Sequence, residues 1–204
     1  MKLRGAAALL GVLVSGTALA DVSANVGFAS DYYYRGIFQA SSSASAGLDY
    51  EANGFYAGVW AADVKQGLEV DGYLGYATEI GGVDLGIGFT GYYYTQDFDD
   101  TYEEINLSTG YGIATVDVAI GQYDNFGNGR QDYAYYALTL EKNGLYGRVA
   151  GFSNDFDGDY LELGYGTEVA EIDVGLALVF ANDDLVGDAD EAIVITLGKT
   201  FAIQ

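Results

Sequence analysis

Apolar and polar residues alternate with a period of two along most of this chain. Between positions 83 and 90 every odd residue is apolar and every even residue is small or polar. The segments 114–121, 172–180 and 193–203 repeat the pattern, and only Lys199 interrupts an apolar row. Because successive side chains of a strand point to opposite faces, each segment has one apolar face and one small or polar face. The pattern predicts an all-β protein.

Twelve segments of this kind follow one another. Each is close to or longer than the roughly 9–11 residues that a tilted strand needs to cross a bilayer, and an even number is typical of bacterial single-chain barrels. Ten or fourteen strands are the alternative counts. The predicted strands span 22–38, 43–52, 54–64, 68–79, 83–95, 102–111, 114–123, 131–142, 145–153, 160–169, 172–181 and 191–203.

The connections between these strands alternate in length. Short connections, several of them Asn-Gly or Gly-Gly pairs that suit tight hairpins, lie at 52–54, 81–82, 112–113, 143–144 and 170–171. Mostly longer, polar connections lie between them, at 39–42, 65–67, 96–101, 124–130, 154–159 and 182–190. Short turns on one side and longer loops on the other are the arrangement of outer-membrane barrels, whose short turns face the periplasm. We therefore predict a transmembrane up-and-down antiparallel β-barrel; a soluble barrel with the faces exchanged is the alternative.

Residues 1–20 have the three parts of a secretory signal peptide. Lys2 and Arg4 form a positive n-region, residues 5–14 are a short apolar region, and 17–20 supply a small-residue cleavage site. A buried N-terminal helix is the alternative. We expect cleavage before Asp21, which leaves 21–204 as one outer-membrane barrel domain in a Gram-negative bacterium.

The last predicted strand resembles the terminal strand by which barrel-assembly machinery recognises its clients. A polar residue, a glycine and two apolar residues carry the pattern, namely Thr196, Gly198, Phe201 and Ile203. Such a signal implies the assembly machinery and periplasmic chaperones as partners during biogenesis.

The polar face of each strand lines the lumen if the apolar face meets lipid. The charged residues that this places inside are the candidate lumen-lining residues Asp31, Arg35, Asp49, Glu51, Glu69, Asp71, Asp84, Asp117, Glu141, Arg148, Glu162 and Asp173. Asp31 and Arg35 share strand parity and are candidates for a lumenal pair. With Arg148, Arg35 either forms a constriction with a transverse field or neutralises buried acids, and the second interpretation is preferred because buried charges need partners.

The charge balance is strongly acidic. Without Lys2 and Arg4, 6 of the 8 basic residues remain against 30 acidic ones, a net charge of −24. A pore lined with one sign of charge concentrates counter-ions, so a conducting barrel is expected to prefer cations. The lack of a basic face argues against nucleic-acid binding. Many of the other acids fall in the predicted external loops: Asp97, Asp99, Asp100, Glu103, Glu104, Asp155, Asp157, Asp159, Asp183, Asp184, Asp188, Asp190 and Glu191.

These acidic loops have more than one interpretation. They provide solubility and divalent-ion bridging to an anionic outer leaflet, or they contribute to selectivity. Asp155, Asp157 and Asp159 alternate as in calcium loops but lack the spacing and terminal Glu of an EF-hand, so they are a weak calcium candidate. No cofactor and no other metal site is predicted.

Tyrosines cluster near the predicted strand ends. The clusters are Tyr32 to Tyr34, Tyr92 to Tyr94, and Tyr133, Tyr135 and Tyr136. Amphipathic rings collect at membrane–water interfaces, so these tyrosines are predicted to form an interfacial belt; cross-strand packing is the alternative for any one of them.

Three blocks of sequence resemble a known family. They are DYYYRGIFQ at 31–39, GFYAGVWA at 54–61 and EVDGYLGY at 69–76, and they are similar to blocks of the TorF family, whose members are regarded as porins. The resemblance implies an outer-membrane barrel and a channel. It supplies no substrate and no functional residues.

Three classes of function follow from these observations. The preferred one is a channel for passive passage of small solutes or ions through a barrel held in outer-membrane lipids. A closed structural or adhesive barrel that acts through its acidic loops is the alternative. An enzyme is disfavoured, because the chain has no histidine for serine–histidine chemistry and its carboxylates are too many to single out a pair.

Overall fold

Consecutive strands pair antiparallel around a complete ring in the computed structural model, which describes residues 21–203. The strands are β1 (Asp21–Tyr34), β2 (Ile37–Ala52), β3 (Phe55–Asp63), β4 (Leu68–Ile80), β5 (Val83–Tyr94), β6 (Tyr102–Tyr111), β7 (Ala114–Tyr123), β8 (Gln131–Lys142), β9 (Leu145–Asn154), β10 (Asp159–Val169), β11 (Ile172–Ala181) and β12 (Asp190–Ile203). The predicted twelve-stranded antiparallel barrel is confirmed. The predicted signal peptide, 1–20, lies outside the described residues.

The ring closes between the first and last strands. β1 pairs with β12 from Val22 opposite Ile203 to Ala29 opposite Thr196, and every other pairing joins neighbours in sequence. Among residues 21–203 the only helices are a 3₁₀ turn at Asn125–Gly127 and a single turn, α1, at Asp183–Val186. Neither has the length to cross a membrane.

The outer face of the barrel is apolar. Leu74, Ile105 and Ile193 are 59%, 53% and 65% exposed, although they lie within strands whose alternate residues are half-buried or buried. Exposed rings lie toward the short-turn end at Tyr50, Phe55, Tyr76, Tyr111 and Tyr165, and toward the other end at Tyr93, Tyr136 and Phe180. An apolar band between two aromatic girdles is the lipid-facing surface of a membrane barrel.

The five short turns lie at one end of the barrel. The Asn-Gly turns at 53–54 and 143–144 place both residues at positive φ: 52° and 87° in the first, 55° and 84° in the second. This conformation is that of type I′ hairpins and explains why a glycine occupies the second position. The turns therefore form where the sequence predicted them.

The first hairpin turns earlier than predicted. Its turn is Arg35-Gly36, with φ of 49° and 82°, whereas the sequence prediction continued the first strand to residue 38 and placed a loop at 39–42. Ser42 lies in β2 with φ of 58°, so a local irregularity shifts the alternation there and imitates a loop. The other ten predicted strands begin and end within one residue of the observed bounds.

The end of this hairpin has left the barrel wall. The pairing of β1 with β12 stops at Ala29, and the pairing of β2 with β3 begins at Ser45. Residues 30–44 thus pair with no strand outside the β1–β2 hairpin, and the register shifts between Tyr32 and Tyr33. We call residues 30–44 the inserted hairpin.

If the outer face meets lipid, a charged side chain placed on it should reduce stability more in the middle of the membrane than near its surface. Leu107 faces outward between Ile87 and Val118 in mid-wall, and we expect Leu107→Arg to lower the free energy of unfolding by about 2–4 kcal/mol. Val169 also faces outward but adjoins the turn at 170–171, and Val169→Arg should cost about 0–1 kcal/mol. Denaturant unfolding in lipid vesicles measures both. Equal costs would contradict a bilayer around this face.

Candidate functional site

The inserted hairpin crosses the lumen. β6 and β8 lie nearly opposite β1 and β2 in the ring of strands, yet the guanidinium of Arg35 contacts Glu104 of β6 and the ring of Tyr135 of β8. Contacts between opposite walls form only if the hairpin folds inward over the barrel. The hairpin therefore occupies the longer-loop half of the lumen.

Arg35 and Glu104 form a desolvated ion pair. The two guanidinium nitrogens donate to the two carboxylate oxygens at 2.8 and 2.6 Å. The hydroxyls of Tyr92 and Tyr133 donate to the same carboxylate, each at 2.8 Å. The Arg35 side chain is 13% exposed and that of Glu104 is 0% exposed. Bidentate geometry and the two tyrosine hydroxyls together provide four hydrogen bonds to this buried carboxylate.

Aromatic rings surround the guanidinium. The Cζ atom of Arg35 lies 4.1 Å from the ring centroid of Tyr135 and 5.0 Å from that of Tyr34, so cation–π contacts add to the ion pair. The neighbouring Gly36 lies against Tyr160 of β10: a Cβ at Gly36 would come within 2.7 Å of that ring. The positive φ of the turn and this close approach both require glycine at 36.

Two further tyrosines fix the sides of the inserted hairpin. Tyr32 donates to Glu69 of β4 at 2.6 Å and packs edge-on against Trp60 of β3 at 5.9 Å between ring centroids. Tyr33 donates to Asp190 of β12 at 2.6 Å. Together with Arg35, these bonds join the hairpin to three separate parts of the wall.

Aromatic side chains from the strand ends and from one longer loop cover the same end of the barrel. Phe156, between β9 and β10, stacks on Tyr133 with centroids 5.0 Å apart and contacts Tyr102 and Tyr123. The hydroxyls of Tyr102 and Tyr123 donate to the two oxygens of Asp99 at 2.9 and 2.8 Å. Phe156 from a loop and four rings from the ends of β6 to β9 thus form an aromatic cap, defined by Tyr102, Tyr123, Tyr133, Phe152 and Phe156.

This arrangement corrects the interpretation of the tyrosine clusters. The rings turned to the interior are Tyr32, Tyr34, Tyr92, Tyr94, Tyr133 and Tyr135. Tyr93 and Tyr136 face outward, 47% and 44% exposed, and suit an interfacial belt. The prediction was wrong for most of the cluster because the internal carboxylates and the inserted hairpin provide hydrogen-bond partners and packing for these rings inside the barrel.

Tyrosines in the wall lie flat over glycines of neighbouring strands. Tyr73 of β4 is opposite Gly58 of β3, and a Cβ on Gly58 would come within 2.5 Å of the Tyr73 ring. Tyr146 likewise covers Gly164, its partner across β9 and β10. Rings held against the wall leave more of the lumen free than rings that point to the barrel axis. The inward glycines thus accommodate these rings.

The charged residues predicted to line the lumen are distributed through it. Those that lie on the inward side of their strands are Asp49, Glu51, Glu69, Asp71, Asp84, Asp117, Glu141, Arg148, Glu162 and Asp173. Asp31 is half-buried at the point where the hairpin leaves the wall, and the lumenal pair with Arg35 does not form, because Arg35 bonds Glu104.

Neutral polar side chains satisfy several of these carboxylates. Asp49 accepts from Asn25 at 2.9 Å and also from Tyr73. Ser108 donates to Asp117 at 2.7 Å, and Tyr146 donates to Glu162. Arg148 donates to Thr139 at 2.9 Å. The short-turn half of the lumen is therefore polar and negatively charged.

Sequence reasoning missed the role of Glu104. It was grouped with the acidic loops, but it lies in β6 with its side chain inward, while Ile105 and Leu107 face outward. The strand parity of 102–111 carries this information. The partner of Glu104 could not be found, since Arg35 is 69 residues away along the chain.

The three carboxylates of the calcium candidate accept hydrogen bonds from three different donors, and calcium binding by them stays a prediction. Asp155 accepts from the backbone N–H of Asp132, and Asp157 from that of Gly158, both at 2.8 Å. Asp159 accepts from the Tyr136 hydroxyl at 3.0 Å. In the part of the chain that the structure describes, no three His, Cys, Asp or Glu side chains come together as a metal site. The assembly-signal residues Thr196, Gly198, Phe201 and Ile203 all lie in β12.

One family model covers nearly the whole chain. Its description is "Bacterial protein of unknown function (Gcw_chp)", and it matches residues 14–201. No curated protein matches the chain.

Solved structures resemble the chain in fold. A structure from a study of the in-meso crystallization of membrane proteins has a TM-score of 0.63 at 10% identity, over 90% of this chain and 84% of that one. Pseudomonas aeruginosa OccK2 (OpdF), in complex with glucuronate, has a TM-score of 0.44 at 14% identity over 87% and 61%. A BenF-like porin from Pseudomonas fluorescens Pf-5 has 0.42 at 14% over 86% and 59%. The chain spans about three-fifths of these two proteins, and likeness at their level supports no conclusion about function.

The buried ion pair predicts an asymmetric mutational response. Arg35→Met leaves Glu104 charged and buried, and we expect the free energy of unfolding to fall by about 3–5 kcal/mol. The double variant Arg35→Met/Glu104→Gln should recover most of this loss. Arg130→Met removes an ion pair with Asp124 in which both side chains are well exposed and should cost about 0–1 kcal/mol. Denaturant unfolding compares the three; equal losses in the two single variants would contradict a buried pair.

Proposed function

Because this chain belongs to the Gcw_chp family of bacterial proteins of unknown function, we propose its function from its own geometry. The protein is an outer-membrane channel for passive passage of small solutes or ions, and it prefers cations. The inserted hairpin controls passage through the longer-loop half of the lumen. Outer-membrane lipids surround the barrel, and small solutes or cations are its ligands.

The charge of the short-turn half of the lumen is the observation that carries this proposal. Its inward carboxylates include Asp49, Glu51, Asp84, Asp117, Glu141, Glu162 and Asp173. Among the described strands, Arg148 is the inward basic residue. A low-dielectric wall around one sign of charge attracts counter-ions and repels co-ions. A barrel that served only as a membrane anchor would not need this excess of negative charge in its lumen.

The inserted hairpin determines how such a channel opens. A solute that crosses the barrel has to pass the Arg35–Glu104 pair, which spans the lumen. Movement of residues 30–44 changes the free cross-section of the lumen and leaves the wall intact, because these residues pair with no strand outside the β1–β2 hairpin. Conductance then depends on the strength of the contacts that hold the hairpin inside.

Location and biogenesis belong to the same proposal. The apolar outer face and the export signal expected at 1–20 support the outer membrane of a Gram-negative bacterium. The pattern at Thr196, Gly198, Phe201 and Ile203 supports insertion by the barrel-assembly machinery after delivery by periplasmic chaperones. The TorF resemblance stays a prediction. We propose no catalytic role.

A closed structural or adhesive barrel is the second candidate. The aromatic cap and the inserted hairpin together fill the end of the barrel that carries the longer loops, and this favours a barrel without passage. In that case the exposed acidic loops, such as Asp183 and Asp184 beside β12, would be the functional surface, through divalent cations.

Planar-bilayer recording separates the two candidates. We expect discrete conductance steps and a reversal potential in a salt gradient that favours cations. Arg35→Ala should increase the conductance or the open fraction several-fold, since the hairpin loses its contact with Glu104. Arg130→Ala, in an exposed loop, is the matched control and should leave the current unchanged.

Neutralising lumenal charge tests the origin of the selectivity. Asp84→Asn/Asp173→Asn removes two inward charges near the short turns and should reduce the cation preference. Asp183→Asn/Asp184→Asn removes the same charge from an external loop and should reduce it less. Anion preference in the unmodified protein would overturn the selectivity. No current from folded, inserted protein, with or without Arg35→Ala, would establish the closed barrel.

A further inference from the structure

Two acidic side chains are fully enclosed beside the inserted hairpin. Glu69 and Asp71 lie in β4 with one residue between them, so both side chains point inward. Both are 0% exposed. Trp60 of β3 is opposite Asp71, and Ala62 is opposite Glu69. The site lies inside the wall, covered by aromatic side chains.

These carboxylates lack the donors that their burial requires. Tyr32 donates to Oε1 of Glu69 at 2.6 Å. The other oxygen of Glu69 and both oxygens of Asp71 are buried and have no hydrogen-bond partner among the described residues. Arg35 forms its ion pair with Glu104 instead. Asp71 therefore lies in a dry environment with no donor from the described residues for either oxygen, whereas Glu69 has Tyr32 and lies near the Tyr94 hydroxyl.

Such an arrangement is unfavourable as it stands. An ionised carboxylate that loses water without gaining a partner is strongly destabilised. Two neighbouring carboxylates also repel each other, and the repulsion is stronger where the dielectric constant is low. A proton or a cation has to offset this cost. By contrast, Glu104, the other buried acid nearby, has four donors and needs neither.

We propose that Glu69 and Asp71 bind one divalent cation of the Mg²⁺ or Ca²⁺ class. Two carboxylates supply the matching charge of −2, and hard cations of this class prefer oxygen ligands. The Tyr32 hydroxyl oxygen and water complete the coordination, because no third acidic side chain of the described chain converges here. A site with one or two carboxylates and retained water is typical of Mg²⁺.

The bound ion would strengthen the attachment of the hairpin. Tyr32 belongs to the inserted hairpin, whereas Glu69 and Asp71 belong to the wall, so the ion would join the two. This inference does not rest on transport: a closed barrel would contain the same site. Ion binding and conductance are therefore tested separately.

The single tryptophan of the chain is a built-in reporter. Trp60 is the cross-strand neighbour of Asp71, so Tb³⁺ bound at the site should emit when tryptophan alone is excited. In protein refolded into lipid vesicles and stripped with chelator, we expect the emission to saturate at one ion per barrel. Ca²⁺ or Mg²⁺ should displace Tb³⁺, and K⁺ at the same concentration should not.

Variants assign the ion to its ligands. Asp71→Asn and Glu69→Gln should each weaken the Trp60-sensitised Tb³⁺ signal at least tenfold. Asp183→Asn/Asp184→Asn is the matched control, since it removes two exposed loop acids, and it should leave this signal unchanged. Gel mobility before and after heating shows whether each variant is folded. An unchanged signal in both site variants, or equal displacement by K⁺, would overturn the proposal.

Thermal unfolding provides an independent readout that needs no lanthanide. Ca²⁺ or Mg²⁺ should raise the Tm of the chelator-treated wild type and leave the Tm of Asp71→Asn unchanged. If Asp71→Asn is more stable than the wild type in chelator, and neither divalent ion changes the wild-type Tm, then protons alone neutralise the pair and the proposal is wrong.

Discussion

A strand in lipid has no water to bond its backbone N–H and C=O groups, so the sheet has to close. The pairing of β1 with β12 achieves this, and the other features follow from it. Closure assigns one face of every strand to lipid and the other to the interior. Charged side chains are unfavourable on the lipid side. The acidic strand residues at membrane depth therefore point into the barrel.

The many carboxylates inside the barrel repel one another and lose water. The two halves of the lumen stabilise them in different ways. Near the short turns, the carboxylates are half-exposed to the lumen or bonded to neutral donors such as Tyr73 and Ser108. In the other half, the hairpin and the aromatic cap exclude water. A carboxylate there requires a stronger partner, which Glu104 finds in Arg35 and which Glu69 and Asp71 lack among the described side chains.

The inserted hairpin affects both the stability of the barrel and the proposed passage of solutes through it. Its residues 30–44 have no pairing to other strands, so side-chain contacts hold it in the barrel. The Arg35 ion pair, the Tyr32 and Tyr33 hydroxyls and the close fit of Gly36 on Tyr160 are therefore the interactions that determine whether the lumen is obstructed. Substitutions at these contacts therefore affect the stability of the barrel as well as the position of the hairpin inside it.

The sequence by itself determined the architecture. A period of two and alternating turn lengths identified twelve strands, the lipid face and ten of the inward charged residues, because these depend on neighbours along the chain. It misplaced the turn at Arg35-Gly36, because the predicted first strand continued to residue 38. It also assigned the inward tyrosines to an interfacial belt. Only the tertiary structure decided that Arg35 reaches Glu104 and that Glu69 and Asp71 are sealed beneath Tyr32. These contacts join distant strands across a lumen, and no local pattern records which side chains meet there.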